Sequence, residues 1–137
     1  SAFIPDDYMP DEHFRLLYYK RISVAHSDEE LEEIRAELLD SHGRMPAEVE
    51  NLFAITKIRN RLQAMKVRKL IYNGREFILQ FSPSTSIDPQ RIISMIKKIG
   101  HKARISPDHV LTLPAPHLRG RDILSHLTET INTLFQG

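Results

Sequence analysis

The chain has 137 residues, no cysteine, 41% hydrophobic and 27% charged side chains, and a formal net charge of +1. Its length suits one domain able to bury a real core. The missing Cys excludes a disulfide framework, a zinc-finger site and thiol chemistry, and makes a reducing cytoplasm the expected compartment. No apolar run approaches the roughly 20 residues that span a bilayer. The opening SAFIPDDYMP lacks the basic start and apolar stretch of a signal peptide. With no initiator Met, the chain is expected to be a piece of something longer. The small net charge conceals an asymmetry. Residues 1–50 hold 13 acidic and 5 basic side chains, net −8, and residues 51–137 hold 5 acidic and 14 basic, net +9. Unless the halves interleave, such a molecule is electrically polarised and can be steered onto a partner.

Residues 1–10 read as an extended, irregular segment punctuated by Pro5 and Pro10. A helix opens at Pro10 or Asp11 and runs to about Ala25, with Phe14, Leu17, Tyr18 and Ile22 as its apolar stripe. The next helix, about Asp28 to His42, starts at a capping box in which Ser27 is followed three residues later by Glu30. Asp28, Glu29 and Glu30 suit the positive end of its dipole. Leu31, Ile34 and Leu38 form its buried stripe, and Gly43 supplies its stop. The third helix runs from Ala47 to about Met65. It is apolar on several sides (Val49, Leu52, Phe53, Ile55, Ile58, Leu62), which predicts a well-covered position.

The period then changes. Lys69 to Tyr72 and Glu76 to Phe81 flank Asn73-Gly74, a hairpin signal that suits a type I′ turn. Phe77, Leu79 and Phe81 alternate onto one face. A polar loop, Ser82 to Asp88, leads to a helix from Pro89 to Ile99, with Asp88 as N-cap and Gly100 as its stop. Lys102 to Ser106 and Val110 to Leu113 form a second hairpin around Pro107-Asp108. Gly120 to about Phe135 is a last helix, with Ile123, Leu124, Leu127, Ile131 and Leu134 inward. The predicted class is α+β. A three-helix segment is followed by two β-hairpins, each followed by a helix, giving a four-stranded, mainly antiparallel sheet packed by helices. Residues 11–137 read as a single domain.

Residues that carry chemistry are scarce. The five glycines have neither P-loop nor dinucleotide-fold spacing. The seven His never fall in a metal-ligand arrangement; His101 and His109 flank the second hairpin and read as exposed turn residues. Of Asp6, Asp7 and Asp11, the last caps a helix and the others are solvated. Ser82, Ser84, Thr85 and Ser86 have no neighbouring base in sequence to activate a hydroxyl. No catalytic residue, metal site or cofactor is expected in this chain. A basic stretch, Lys57, Arg59, Arg61, Lys66, Arg68, Lys69 and Arg75, supports an alternative reading as a nucleic-acid-contacting accessory module. Lys97, Lys98, Lys102 and Arg104 form a second basic cluster. No aromatic residue interleaves the run from Lys57 to Lys69, and no DNA-binding motif is present.

The acidic helix offers a different function. Glu33, Glu37 and Asp40 stand one above another at i, i+4 and i+7 on its outer face, and a helix does not need three repelling carboxylates in a row for solubility. They are the candidate partner-binding residues. As a docking latch they must point outward and must not be neutralised by arginines of the same chain.

Three runs then resemble the extreme C-terminal domain of the bacterial transcription-repair coupling factor family: FIPDDYMPDEHFRLLYYKRIS from Phe3, ELEEIRAELLDSHGRMP from Glu30 and VENLFAITKIRNRLQAMKVRKL from Val49. Where that family has Asp-Arg-Phe-Gly at the end of the acidic helix, this chain has Asp40-Ser41-His42-Gly43. Members of the family are ATP-driven DNA translocases that act on stalled RNA polymerase and recruit UvrA. The resemblance implies that this chain is their non-catalytic, regulatory C-terminal domain, with residues 1–10 as the end of a linker from the motor. Its implied partner is the UvrB-like module of the same protein. Docking there masks a UvrA-binding surface and restrains the motor, so UvrA, RNA polymerase and DNA are reached only indirectly. Glu37 and Asp40 flank the family's Glu-Leu-x-Asp core and are the strongest docking candidates.

Overall fold

The computed structural model describes residues 1–85, 87–100 and 102–136. Ser86, His101 and the side chain of Phe135, all used in the reading above, lie outside what is described. The elements are α1 (Glu12–Val24), α2 (Asp28–His42), α3 (Ala47–Ala64), β1 (Val67–Tyr72), β2 (Glu76–Phe81), α4 (Pro89–Ile99), β3 (Arg104–Ile105), β4 (Val110–Pro114) and α5 (Arg121–Gln136). The α+β class and the predicted order are both present. The chain divides into two compact units, Ser1–Asn60 and Arg61–Gly137.

In the first unit, local signals set the helix ends. Asp11 accepts the N–H groups of His13 (2.8 Å) and Phe14 (3.4 Å) and caps α1. Ser27 Oγ accepts the Glu30 N–H at 3.1 Å, while Glu30 reaches back to the N–H of His26 at 3.2 Å, one residue further than a standard capping box. Gly43 ends α2 at φ 79, a left-handed conformation that favours glycine. Leu31, Ile34 and Leu38 are buried together with Tyr18, Ile22, Val49 and Phe53. Ile4 and Met9 join the same core, and the Ile4 N–H bonds to the Tyr19 hydroxyl at 2.7 Å. Residues 1–10 are therefore irregular but anchored in the core through Ile4 and Met9.

Two expectations about apolar stripes need correction. On α1 only Tyr18 and Ile22 are buried; Phe14 and Leu17 are 50% and 46% exposed. Four successive large side chains, Leu16 to Tyr19, point in four directions around a helix, so one stripe cannot take them all. On α3, Ile55 is exposed, so the helix is not covered on every side.

In the second unit the sheet order is β1-β2-β4-β3, antiparallel throughout. Phe77, Leu79 and Phe81 of β2 are buried with their β4 neighbours Leu111 and Leu113, and Leu127, Ile131 and Leu134 of α5 are buried as well. Phe77 stacks on His126 at 5.7 Å, which places α5 over this face. Ile123 and Leu124 are only half-buried. β1 begins two residues earlier than predicted, at Val67, and carries a bulge between Val67 and Lys69. β3 shrinks to two residues because the chain is still turning at Ala103, whose N–H bonds to the Gly100 carbonyl at 3.1 Å. The first hairpin is closed by Asn73 and Glu76, with Gly74 and Arg75 between them. Only Gly74 has positive φ, which fits a type II′ turn rather than the predicted I′. The Asn73 side chain instead accepts the N–H groups of Arg75 (2.9 Å) and Glu76 (2.8 Å).

Candidate docking surface

The outer face of α2 carries Glu33, Glu37 and Asp40, and all three are exposed. With 1.5 Å of rise per residue, the row is about 10 Å long. Its members differ in their surroundings. Glu37 accepts the Tyr18 hydroxyl at 2.8 Å and pairs with Arg21 at 2.9 Å, both from α1. The Arg21 guanidinium also lies over the Tyr18 ring at 5.1 Å, in cation–π range. The bonds from Arg21 and then Tyr18 hold the Glu37 carboxyl below its ordinary value. Burial, and then the bond to Glu37, push the Tyr18 hydroxyl up. The middle of the acidic row is thus neutralised from within the chain, against the requirement set for a latch, and Glu37 ties α1 to α2. Glu33 and Asp40 meet no cation among the described residues.

Other α2 charges face α3. Arg35 grips Glu50 with two bonds of 2.9 and 3.0 Å, and Glu32 lies 4.0 Å from Lys57. Beside the acidic row, α1 offers apolar surface: Phe14 and Leu17 share a helical ridge with Arg21 at i, i+3 and i+7. Sequence periodicity assigned these two residues to the core, so their part in a mixed acidic and apolar surface was missed. The signal available was the crowding of Leu16, Leu17, Tyr18 and Tyr19.

Residues 1–92 match the family described as the TRCF domain. A transcription-repair-coupling factor of Myxococcus xanthus is 30% identical over 134 residues, which is 97% of this chain and 11% of that protein. One from Escherichia coli (strain K12) is 35% identical over 97 residues, 71% of this chain and 8% of that protein. The chain belongs to the transcription-repair-coupling factor family. It spans about a tenth of the length of these relatives. Its fold is that of a crystal structure of the C-terminal domain of transcription-repair coupling factor, with a TM-score of 0.79 at 23% identity, covering 98% of this chain and 87% of that one.

Within this family member, the altered end of α2 is still an ordered stop. His42 stands where the resemblance has Phe, and its ring lies 5.6 Å from that of Tyr8. The Tyr8 hydroxyl donates to the Gly43 carbonyl at 3.2 Å, and the Gly43 N–H closes onto Leu39 at 3.1 Å. Asp40 is thereby fixed in the last turn of α2.

The basic stretch is divided between the two units. Lys57 is near Glu32 and Arg59 donates to the Ser23 carbonyl at 3.1 Å, both in the first unit. In the second unit, Arg61 bonds to the Asn132 side chain. Lys66, Arg68, Lys69 and Arg75 are exposed, with Lys66 and Arg75 at opposite ends of a six-residue strand about 20 Å long. Arg104, from the second cluster, pairs with Glu76 at 3.1 Å. Among the described residues no three His, Asp or Glu side chains come together to hold a metal ion. No helix among them is long and apolar enough to cross a membrane. Asp11 caps α1, and Ser82 Oγ lies 3.0 Å from Ser84 Oγ, a hydroxyl rather than a base.

Proposed function

We propose that this chain is a non-catalytic regulatory domain of a cytoplasmic transcription-repair coupling translocase. It docks through the outer face of α2 on the UvrB-like module of the same protein, masks the surface that receives UvrA and restrains the motor. The observation that carries this reading is the pair of bare carboxylates, Glu33 and Asp40, on a helix where Glu32, Arg35 and Glu37 are each paired with a charge of α1 or α3. Glu37 acts beside them as a positioning residue, because its bonds to Arg21 and Tyr18 fix α2 against α1. Family membership supports a role in transcription-coupled repair.

The test mixes the 137-residue chain with a separately expressed UvrB-like module and measures association at two salt concentrations. Removing one partner of a desolvated charge pair at an interface costs about 2–5 kcal/mol, whereas a rim charge affects mainly the association rate. Glu33→Ala with Asp40→Ala is expected to weaken binding strongly and to flatten its salt dependence. In the full-length protein, Glu37→Ala with Asp40→Ala raises UvrA binding and ATPase activity. Unchanged affinity in the first experiment removes the acidic face from the mechanism.

A further inference from the structure

A second surface lies in the first unit, away from the α2 acids. It is a groove of about 530 Å³ between α1 and α3, lined by Tyr19, Lys20, Ile22 and Ser23 on one side and Leu52, Ile55, Thr56 and Arg59 on the other. The α3 wall is one helical ridge at i, i+3, i+4 and i+7, about 10 Å long, room for one or two side chains one turn apart. Its middle is the exposed Ile55, and Ile22 is buried opposite.

The charged groups of this groove share one sign. Lys20 and Arg59 line it, and no Asp or Glu does. Among the described residues no carboxylate pairs with Lys20 or with Arg59. This is a basic island in a segment whose first fifty residues carry 13 acidic side chains. Arg59 is also incompletely bonded. One Nη donates to the Ser23 carbonyl and to Asn60 Oδ1, both at 3.1 Å, which closes one end of the groove. Its Nε is buried and has no acceptor. A buried donor without an acceptor is uncommon in folded proteins. A carboxylate entering the groove, with a rotation of the guanidinium, gives Nε and Nη a bidentate acceptor. Recognition of an amphipathic helix takes this form: apolar anchors in a trough and charges at its edge.

We infer that the α1–α3 groove is a docking site for an acidic amphipathic helix of a protein partner. A Leu-sized anchor sits over Leu52 and Ile55, and a Glu or Asp of the same helix pairs with Lys20 and Arg59. This site is independent of the α2 acidic face, and either can fail without the other.

The probe is a displayed library of helix-forming peptides, selected on the 137-residue chain and counter-selected on Ile55→Asp. The expected peptides carry a large apolar residue followed within about one turn by Glu or Asp. Their binding shifts the amide resonances of Lys20, Ser23, Ile55 and Arg59. Lys20→Glu weakens them by about tenfold, whereas Lys20→Arg, which keeps the charge, leaves binding unchanged. Lys20 is exposed, so this charge swap carries the test by itself if Ile55→Asp disturbs folding. Peptides without acidic bias, a failure to select any, or shifts confined to α2 overturn the inference. So does a dimer of the chain that Ile55→Asp dissociates, because the groove then belongs to a second copy.

Discussion

α1 and α2 are neighbours in one unit and bury side chains in one core, but their outer faces have opposite chemistry. α2 encloses Leu31, Ile34 and Leu38 and turns carboxylates outward. α1 encloses only Tyr18 and Ile22 and leaves Phe14, Leu16, Leu17 and Val24 in the open. Neither outer face is the mixed polar surface that solubility alone favours. An exposed apolar ridge beside two carboxylates unpaired among the described residues, Glu33 and Asp40, is a composition that fits a partner better than it fits water. The difference also separates residues that hold the fold from those free to serve an interface.

The sharpest test of that separation is a pair of leucine truncations. Leu38 is fully buried and Leu17 is 46% exposed. Leu38→Ala is expected to destabilise the chain by about 2–5 kcal/mol in urea denaturation, because it removes buried methyl groups and leaves a cavity. Leu17→Ala is expected to change stability by no more than about 0.5 kcal/mol. Equal losses would show that α1 is enclosed on both sides and would cancel the contrast.

That contrast also shows what could be read without coordinates. In α2, caps, dipole-matched charges and apolar spacing all agree, so its ends and its buried face follow from the chain alone. In α1 the apolar residues outnumber the positions facing the core, and spacing cannot tell Leu17 from Tyr18. Tyr18 is inside, and its hydroxyl finds Glu37, nineteen residues away. The same long-range pairing made Glu37 look available: Arg21 and Glu37 are sixteen residues apart, and no local rule joins them. The orphaned Nε of Arg59 is likewise a product of tertiary packing. The order of elements in the second unit was legible from its change of period, whereas the shortness of β3 depended on a turn at Ala103 that carries no composition signal.

The Arg21–Glu37 link sharpens the comparison at a smaller scale. Both side chains are partly open, 40% and 47% exposed, so a double-mutant cycle with Arg21→Ala and Glu37→Ala is expected to give a coupling of about 0.2–1 kcal/mol. The sign of its pH dependence follows from the lowered Glu37 carboxyl. A group whose folded value lies below its unfolded one stabilises the fold above the unfolded value, near 4.5 for this carboxyl. The contribution disappears as pH falls from there through the folded value. Stability of the parent chain should therefore decline over that acid window more steeply than that of Glu37→Gln. Parallel pH profiles would show that the pair adds nothing to the link between α1 and α2.

A comparably small effect is the most informative about the acidic face. Asp40 lies in the last turn of α2, at the negative end of the helix dipole, with Glu37 one turn behind it and no cation beside it among the described residues. A carboxylate there works against the helix by about 0.3–1 kcal/mol. Asp40→Ala is therefore expected to raise the urea midpoint of the isolated chain slightly, with an unchanged slope. The same substitution is expected to weaken association with the UvrB-like module. A residue that costs its own helix stability while strengthening contact with a neighbour is placed for the neighbour. If Asp40→Ala lowers the midpoint instead, the carboxylate supports α2, and the acidic row is a feature of the fold rather than of docking.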